Sequence, residues 1–164
     1  MNGPVQFDST SAAQTAGVGA AVAMVAVPGD VIALIGDLGA GKTVFVGGMA
    51  HGLGLPPQTV SSPTFVIMHE YKHTDTEIPV LIHIDAYRLQ ALDDLNDVGW
   101  QDVRDDSITA VEWADRIRPG LGPNVLEIRF KHREDGRHLA FSPYGRWSTE
   151  MPALLQRFPQ IGCP

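Results

Sequence analysis

Eight consecutive residues, Gly36-Asp37-Leu38-Gly39-Ala40-Gly41-Lys42-Thr43, satisfy G-x-x-x-x-G-K-[ST], the pattern of a phosphate-binding loop. Each residue type in it has a chemical use. The glycines let the backbone curl so that its N–H groups converge on phosphate oxygens. A helix starting at the loop adds the positive end of its dipole. Lys42 supplies a mobile cation for the outer phosphates, and Thr43 offers a hydroxyl to Mg²⁺. With glycine near 7% of residues in ordinary proteins, the pattern arises by chance in roughly one chain of this length in two hundred. The apolar, β-branched run 31–35 directly before it reads as a buried parallel strand and makes accident rarer still.

Triphosphate chemistry also needs an acid at a strand end to help hold the metal. Two fit: Asp85 closes the apolar run 80–84, and Glu112 closes 108–111. If both strands flank the loop strand, one carboxylate can bind Mg²⁺, directly or through water, while the other orients the attacking water. The residues alone leave those two roles open, and the alternative for either acid is a capping or turn carboxylate. Thr64, in Ser62-Pro63-Thr64, stands where switch-type triphosphatases carry a γ-phosphate-sensing hydroxyl. His83 reads as a packed or hydrogen-bonded histidine, and Trp113 as a core or interface aromatic. No Asn-Lys-x-Asp segment occurs, so GTP has no support. No obvious arginine finger stands out: Arg88, Arg116 and Arg137 are candidates, and each is more often a surface charge.

The elements that must position these groups follow from the apolar pattern. Residues 9–24 read as a helix with Ser9, Thr10 and Ser11 as candidate caps. Residues 42–53 should form the helix behind the loop; Gly47, Gly48 and Gly52 weaken it by roughly 1 kcal/mol each, so packing must hold it or those glycines permit close approach to a neighbour. Strands are expected at 65–71, 80–85 and 108–113, a short helix at 92–98, a hairpin over 124–131 and 137–141, and a terminal helix at 151–158. Strands alternating with helices, then a hairpin, give an α/β layer sandwich: a mostly parallel central sheet with antiparallel edge strands and flanking helices. Ligands bind such sheets at the C-terminal ends of the strands.

The 164 residues fit one domain, 1–164, with 142–164 as a variable C-terminal tail. At 44% hydrophobic and 19% charged, the chain can bury a real core. A net charge of −7 gives no counterion-release advantage on nucleic acid. DNA is therefore not an expected partner, and the mixed-sign cluster around Lys131, His132, Arg133, Arg137 and His138 looks like a solvated hairpin. A single cysteine, Cys163, rules out an internal disulfide. The apolar stretch 12–27 is too short to span a bilayer, so a cytoplasmic protein without membrane contact is expected.

Several segments together resemble the bacterial TsaE (YjeE) ATPases of tRNA threonylcarbamoyladenosine synthesis. They are Gln14-Thr15 with Gly19, the loop 36–43, Ser62-Pro63-Thr64-Phe65, His83-Ile84-Asp85-Ala86-Tyr87-Arg88-Leu89 and Val111-Glu112-Trp113, in order, from about 14 to 141. The resemblance implies a small P-loop NTPase-like fold and ATP bound with Mg²⁺ held by Thr43 and Glu112. It implies that Asp85 is needed for hydrolysis, that Thr64 is the switch-like threonine, and that Thr15 and Arg137 lie near the nucleotide. It also implies TsaB–TsaD-type partners, which modify the adenosine beside the anticodon, with tRNA contacted indirectly. With no clear finger of its own, the chain should hydrolyse ATP slowly alone. A P-loop small-molecule kinase is the alternative, disfavoured because the region after Asp85 is acidic and not arginine-rich. Departures from the family pattern are Ala16 and Gly17 in the first helix, the glycine-rich second helix, and the extension 142–164.

Overall fold

The computed structural model describes residues 5–56, 60–61 and 67–161. Seven strands form one mixed sheet in the order β1-β7-β6-β2-β5-β4-β3. They are β1 (Val5–Ser9), β2 (Val31–Ile35), β3 (Met68–Tyr71), β4 (Val80–Asp85), β5 (Ser107–Glu112), β6 (Val125–Arg133) and β7 (Gly136–Pro143). The central four, β6-β2-β5-β4, are parallel; β3 at one edge and β7 and β1 at the other run antiparallel. This is an α/β fold whose parallel strands carry the continuous apolar runs that burial on both faces requires.

Helices α1 (Ala12–Val25), α2 (Lys42–Gly52) and α5 (Trp147–Leu155) cover one face, over Ile32, Leu34, Ile108, Ala110 and Leu126. The other face is closed by α3 (Asp93–Asp97), α4 (Trp100–Val103) and short 3-10 turns, over Ala33, Ile82, Ile84, Val111 and Val125.

Helices α1 and α2 pack with almost no side chain between them. A Cβ on Gly48 would lie 1.9 Å from the Ala16 carbonyl oxygen, and one on Gly52 2.7 Å from that of Ala20. A Cβ on Gly19 would meet the Phe45 carbonyl at 2.1 Å. The small residues that weaken both helices in isolation thus permit backbone-to-backbone contact.

Beyond shifts of one or two residues at the ends of other elements, the structure departs from the sequence reading in four places. Ser9 ends an edge strand, β1, and does not start the helix; α1 begins at Ala12, capped by the Ser11 hydroxyl, which accepts from Gln14 N–H at 3.1 Å. The Gln14 side chain reaches back to Thr10 N–H at 2.7 Å, so the junction is held from both sides. Of the strand expected at 65–71, Met68–Tyr71 is seen, and 65–66 lie outside the described residues. Gly99, at φ 81°, lets the chain restart as α4, an element the sequence reading did not contain. The terminal helix starts at Trp147, not 151, because burying the Trp147 ring fully against the core outweighs the misfit of Pro152 inside the helix.

Gly47, on the opposite side of α2, has open space where a Cβ would go. Gly47→Ala should therefore stabilise the protein by about 0.5–1 kcal/mol. Gly48→Ala should destabilise it by about 3 kcal/mol through forced helix separation. Urea unfolding of the two variants measures both; equal effects would contradict the close contact.

Candidate functional site

The loop leaves β2 at Gly36 and enters α2 at Lys42. Gly39 and Gly41 hold φ of 75° and 103°, a region that favours glycine, and Gly41 is the residue from which α2 springs. A Cβ on Gly36 would sit 2.8 Å from the Phe130 carbonyl, so β6 packs directly under the loop. Lys42 is buried. Its Nζ donates to the carbonyls of Gly36 and Asp37 and lies 4.1 Å from the centroid of the Trp113 ring. Desolvation pulls the Lys42 pKa below the usual lysine value, opposed by the carboxylates of Glu112, Asp37, Asp85 and Asp115.

Strands β4 and β5 are parallel and in register, so Asp85 and Glu112 are direct cross-strand partners. Side chains alternate along a strand. Asp85 and Glu112 therefore share the face of Leu81, Ile108 and Ala110, which is the face that α2 covers. The Thr43 hydroxyl donates to Glu112 Oε1 at 2.8 Å, and His83 Nε2 meets the same oxygen at 2.8 Å. Asp85 is half-buried, and its Oδ1 accepts from Tyr87 N–H at 2.9 Å. A cavity of about 480 Å³ opens over these groups, lined by residues 38–44 with Asp85, Tyr87, Glu112 and Trp113.

Trp113 follows Glu112 with φ 58°, the sole positive value outside glycine among the described residues. Such a conformation costs on the order of 1 kcal/mol or more. It turns the chain sharply at the end of β5, where the Trp113 ring covers Lys42 and packs on Tyr87 at 5.0 Å between centroids. The Arg116 guanidinium lies 5.1 Å over the other aromatic, Tyr87.

Beside the loop a second hollow of about 340 Å³ is lined by residues 9–12, Thr15, Gly39, Gly41, Val44 and residues 135–137. Arg137 donates to the Gly39 carbonyl at 3.2 Å, and the Thr15 hydroxyl shares a hydrogen bond of 2.8 Å with Ser9. The structure thus brings Thr15, the loop 36–43, Asp85, Glu112 and Arg137 to one end of the sheet. Thr64 lies outside the described residues. Sequence reasoning assigned Tyr87 no role and gave Trp113 a packing role; nothing in residue type announces the left-handed turn that carries Trp113 onto Lys42. The placement of Ser9 against Thr15 was equally hidden, because β1 was not foreseen.

Among the described residues no cluster of three or more His, Cys, Asp or Glu side chains is arranged to hold a metal. Thr43 and Glu112 instead offer two hard oxygen donors side by side, which suits Mg²⁺ completed by water and a phosphate ligand.

Comparison with known proteins decides the family. Residues 9–139 match the family model for TsaE, threonylcarbamoyl adenosine biosynthesis protein TsaE. The chain belongs to the TsaE family. It is 37% identical over 150 residues to the tRNA threonylcarbamoyladenosine biosynthesis protein TsaE of Bacillus subtilis, covering 90% of this chain and 91% of that one. The TsaE of Streptomyces coelicolor is 35% identical over 134 residues, covering 77% and 89%. The crystal structure of Bacillus subtilis YdiB superposes with a TM-score of 0.76 at 30% identity, covering 95% of this chain and 97% of that one. The TsaE family takes part in tRNA threonylcarbamoyladenosine biosynthesis. No helix among the described residues is long and apolar enough to cross a membrane.

Lys42→Met removes two hydrogen bonds to loop carbonyls but also removes a buried cation. The two effects oppose, so the melting temperature without ligand should change by no more than about 3 °C, roughly 1 kcal/mol for a chain of this size. A fall beyond about 8 °C in a calorimetric scan would make Lys42 a structural residue.

Proposed function

We propose that the protein is a P-loop NTPase-like, Mg²⁺-dependent ATP-binding protein with slow intrinsic ATPase activity, supporting the threonylcarbamoyl transferase step on tRNA. One observation carries the reading: the Thr43 hydroxyl sits on Glu112 while Asp85 stands beside Glu112 in register, all on the α2 side of the sheet.

The parts divide the work as follows. Backbone N–H groups of residues 36–43 and the first turn of α2 receive the phosphates of ATP. Lys42, now bonded to the Gly36 and Asp37 carbonyls, exchanges those partners for phosphate oxygens. Thr43 and Glu112 would hold Mg²⁺, which would neutralise charge on the outer phosphates. Asp85 orients the attacking water with the carboxylate oxygen that Tyr87 N–H leaves free. Thr15 and Arg137 line the hollow beside the loop and contact the rest of the nucleotide. Thr64 acts as the γ-phosphate-sensing hydroxyl.

Among the described residues no arginine lines the larger cavity. An arginine supplied in trans adds on the order of 10³–10⁵ in rate to related enzymes. That lack supports slow turnover by the protein alone, and the reading assigns its stimulation to TsaB–TsaD-type subunits in the cytoplasm. The net charge of −7 favours contact with those proteins over direct contact with tRNA.

Titration calorimetry and phosphate release test the division of labour. Lys42→Ala should weaken ATP binding at least about 10-fold. Asp85→Asn should keep ATP binding near the unsubstituted value while hydrolysis falls about 100-fold or more. Binding lost in Asp85→Asn, or fast hydrolysis by the isolated protein, would contradict the reading.

A further inference from the structure

His83 lies inside β4 with no exposed surface. On its face of the sheet it lies between Leu81 and Asp85 along β4, with Ala110 across on β5 and His69 across on β3. The Tyr71 ring packs against it at 6.3 Å between centroids. A polar ring buried here is unfavourable unless hydrogen-bonded. Among the described residues only one of its two nitrogens has a partner: Nε2 meets Glu112 Oε1, and Nδ1 meets none. As a stability element His83 is poorly used, which points to a different role for its single bond.

Glu112 Oε1 accepts two hydrogen bonds, from Thr43 Oγ1 and from His83 Nε2. An ionised carboxylate only accepts, so both partners donate. The Thr43 proton is thereby committed to Glu112, and the hydroxyl lone pairs are left for another ligand. That arrangement is useful only while the carboxylate keeps its rotation. The terminal torsion of a glutamate is broad and roughly two-fold, so the side chain does not fix it alone. Thr43 alone holds it less firmly, because a hydroxyl hydrogen can turn about its C–O bond to another acceptor. The rigid imidazole, seated in the core from the β4 side, is the member of the trio that cannot turn away.

We propose that His83 is a positioning residue: its Nε2–H pins the Glu112 carboxylate so that Oε1 holds the Thr43 proton and Thr43 presents its oxygen, already oriented, to Mg²⁺. This rests on the Mg²⁺–ATP reading above. His83 touches neither nucleotide nor metal, and acts through Glu112. Groups that orient a metal's direct ligands in this way are worth about 10–100-fold in metal affinity.

The test uses the full chain and a fluorescent ATP analogue. Binding is followed across a Mg²⁺ series and in EDTA, with metal-free melting recorded alongside. In His83→Leu the Mg²⁺ concentration for half-maximal enhancement of binding should rise about 10-fold or more. Binding in EDTA should stay unchanged, and metal-free melting should fall by no more than the loss of one hydrogen bond to Glu112 accounts for. His83→Gln, whose amide can reach the same oxygen, should restore much of the Mg²⁺ response. His83→Asn stays polar but ends short of Glu112, and should behave like His83→Leu; it decides the matter if the Leu variant does not fold. An unshifted Mg²⁺ response in either of those two variants overturns the proposal, as does an equal loss in Mg²⁺ and in EDTA. If the unsubstituted protein itself shows no Mg²⁺ dependence, the metal reading falls and this proposal with it; a shift missing only in the variants overturns this proposal alone.

Discussion

A single carboxylate oxygen, Glu112 Oε1, joins the loop helix to the sheet: Thr43 donates to it from the start of α2, and His83 from the neighbouring strand β4. Glu112 is buried, and a buried charge is tolerated only when its hydrogen bonds are made. The parallel register of β4 with β5 makes them possible. Slipping that register by one residue would turn Asp85 and His83 to the opposite face, beneath α3 and α4. The positions of Thr43, Glu112, His83 and Asp85 are therefore one constraint and not four. The apolar runs of β4 and β5 enforce it, because only one register buries Leu81, Ile82, Ile108 and Val111 on their proper sides.

The loop itself is held from three directions. Below it, the Phe130 carbonyl of β6 leaves no room for a side chain at Gly36. Behind it, α1 and α2 touch backbone to backbone, so the start of α2 is fixed by main-chain atoms and not by adaptable side chains. In front, Trp113 folds over Lys42 from a left-handed turn that carries conformational strain. Strain of this kind persists where surrounding structure over-determines it, and it collects at functional sites. The loop is thus walled by main-chain atoms on two sides and covered by the Trp113 ring on the third.

Much of this was legible in the chain. The strands β2, β4 and β5 are contiguous apolar runs, and the β6–β7 hairpin is two runs around Asp135-Gly136. The two strand-end acids announced themselves because a charge closes each run. Close approach was one of two readings of the α2 glycines; it holds for Gly48 and Gly52, which meet Ala16 and Ala20, and not for Gly47, which faces open space. What stayed hidden depends on tertiary context. β1 is five residues at a sheet edge, and its Val5 and Phe7 gain a reason to be apolar only once β7 lies beside them. The choice among Ser9, Thr10 and Ser11 as cap is made by which side chain reaches Gln14 N–H. The turn at Trp113 and the early start of α5 at Trp147 are set by packing, against the local preference of the residues concerned. Thr15 and Arg137 had no signal of their own beyond the family resemblance; they meet the loop through contacts 98 residues apart in one case.

The most direct measurement is a crystal structure of the protein with a non-hydrolysable ATP analogue and Mg²⁺. The account predicts the phosphates cradled by residues 36–43 and the metal about 2.1 Å from Thr43 Oγ1, with Glu112 still joined to Thr43 and His83. A nucleotide bound elsewhere, or a metal held without Thr43 while Glu112 turns away from the loop, would contradict it.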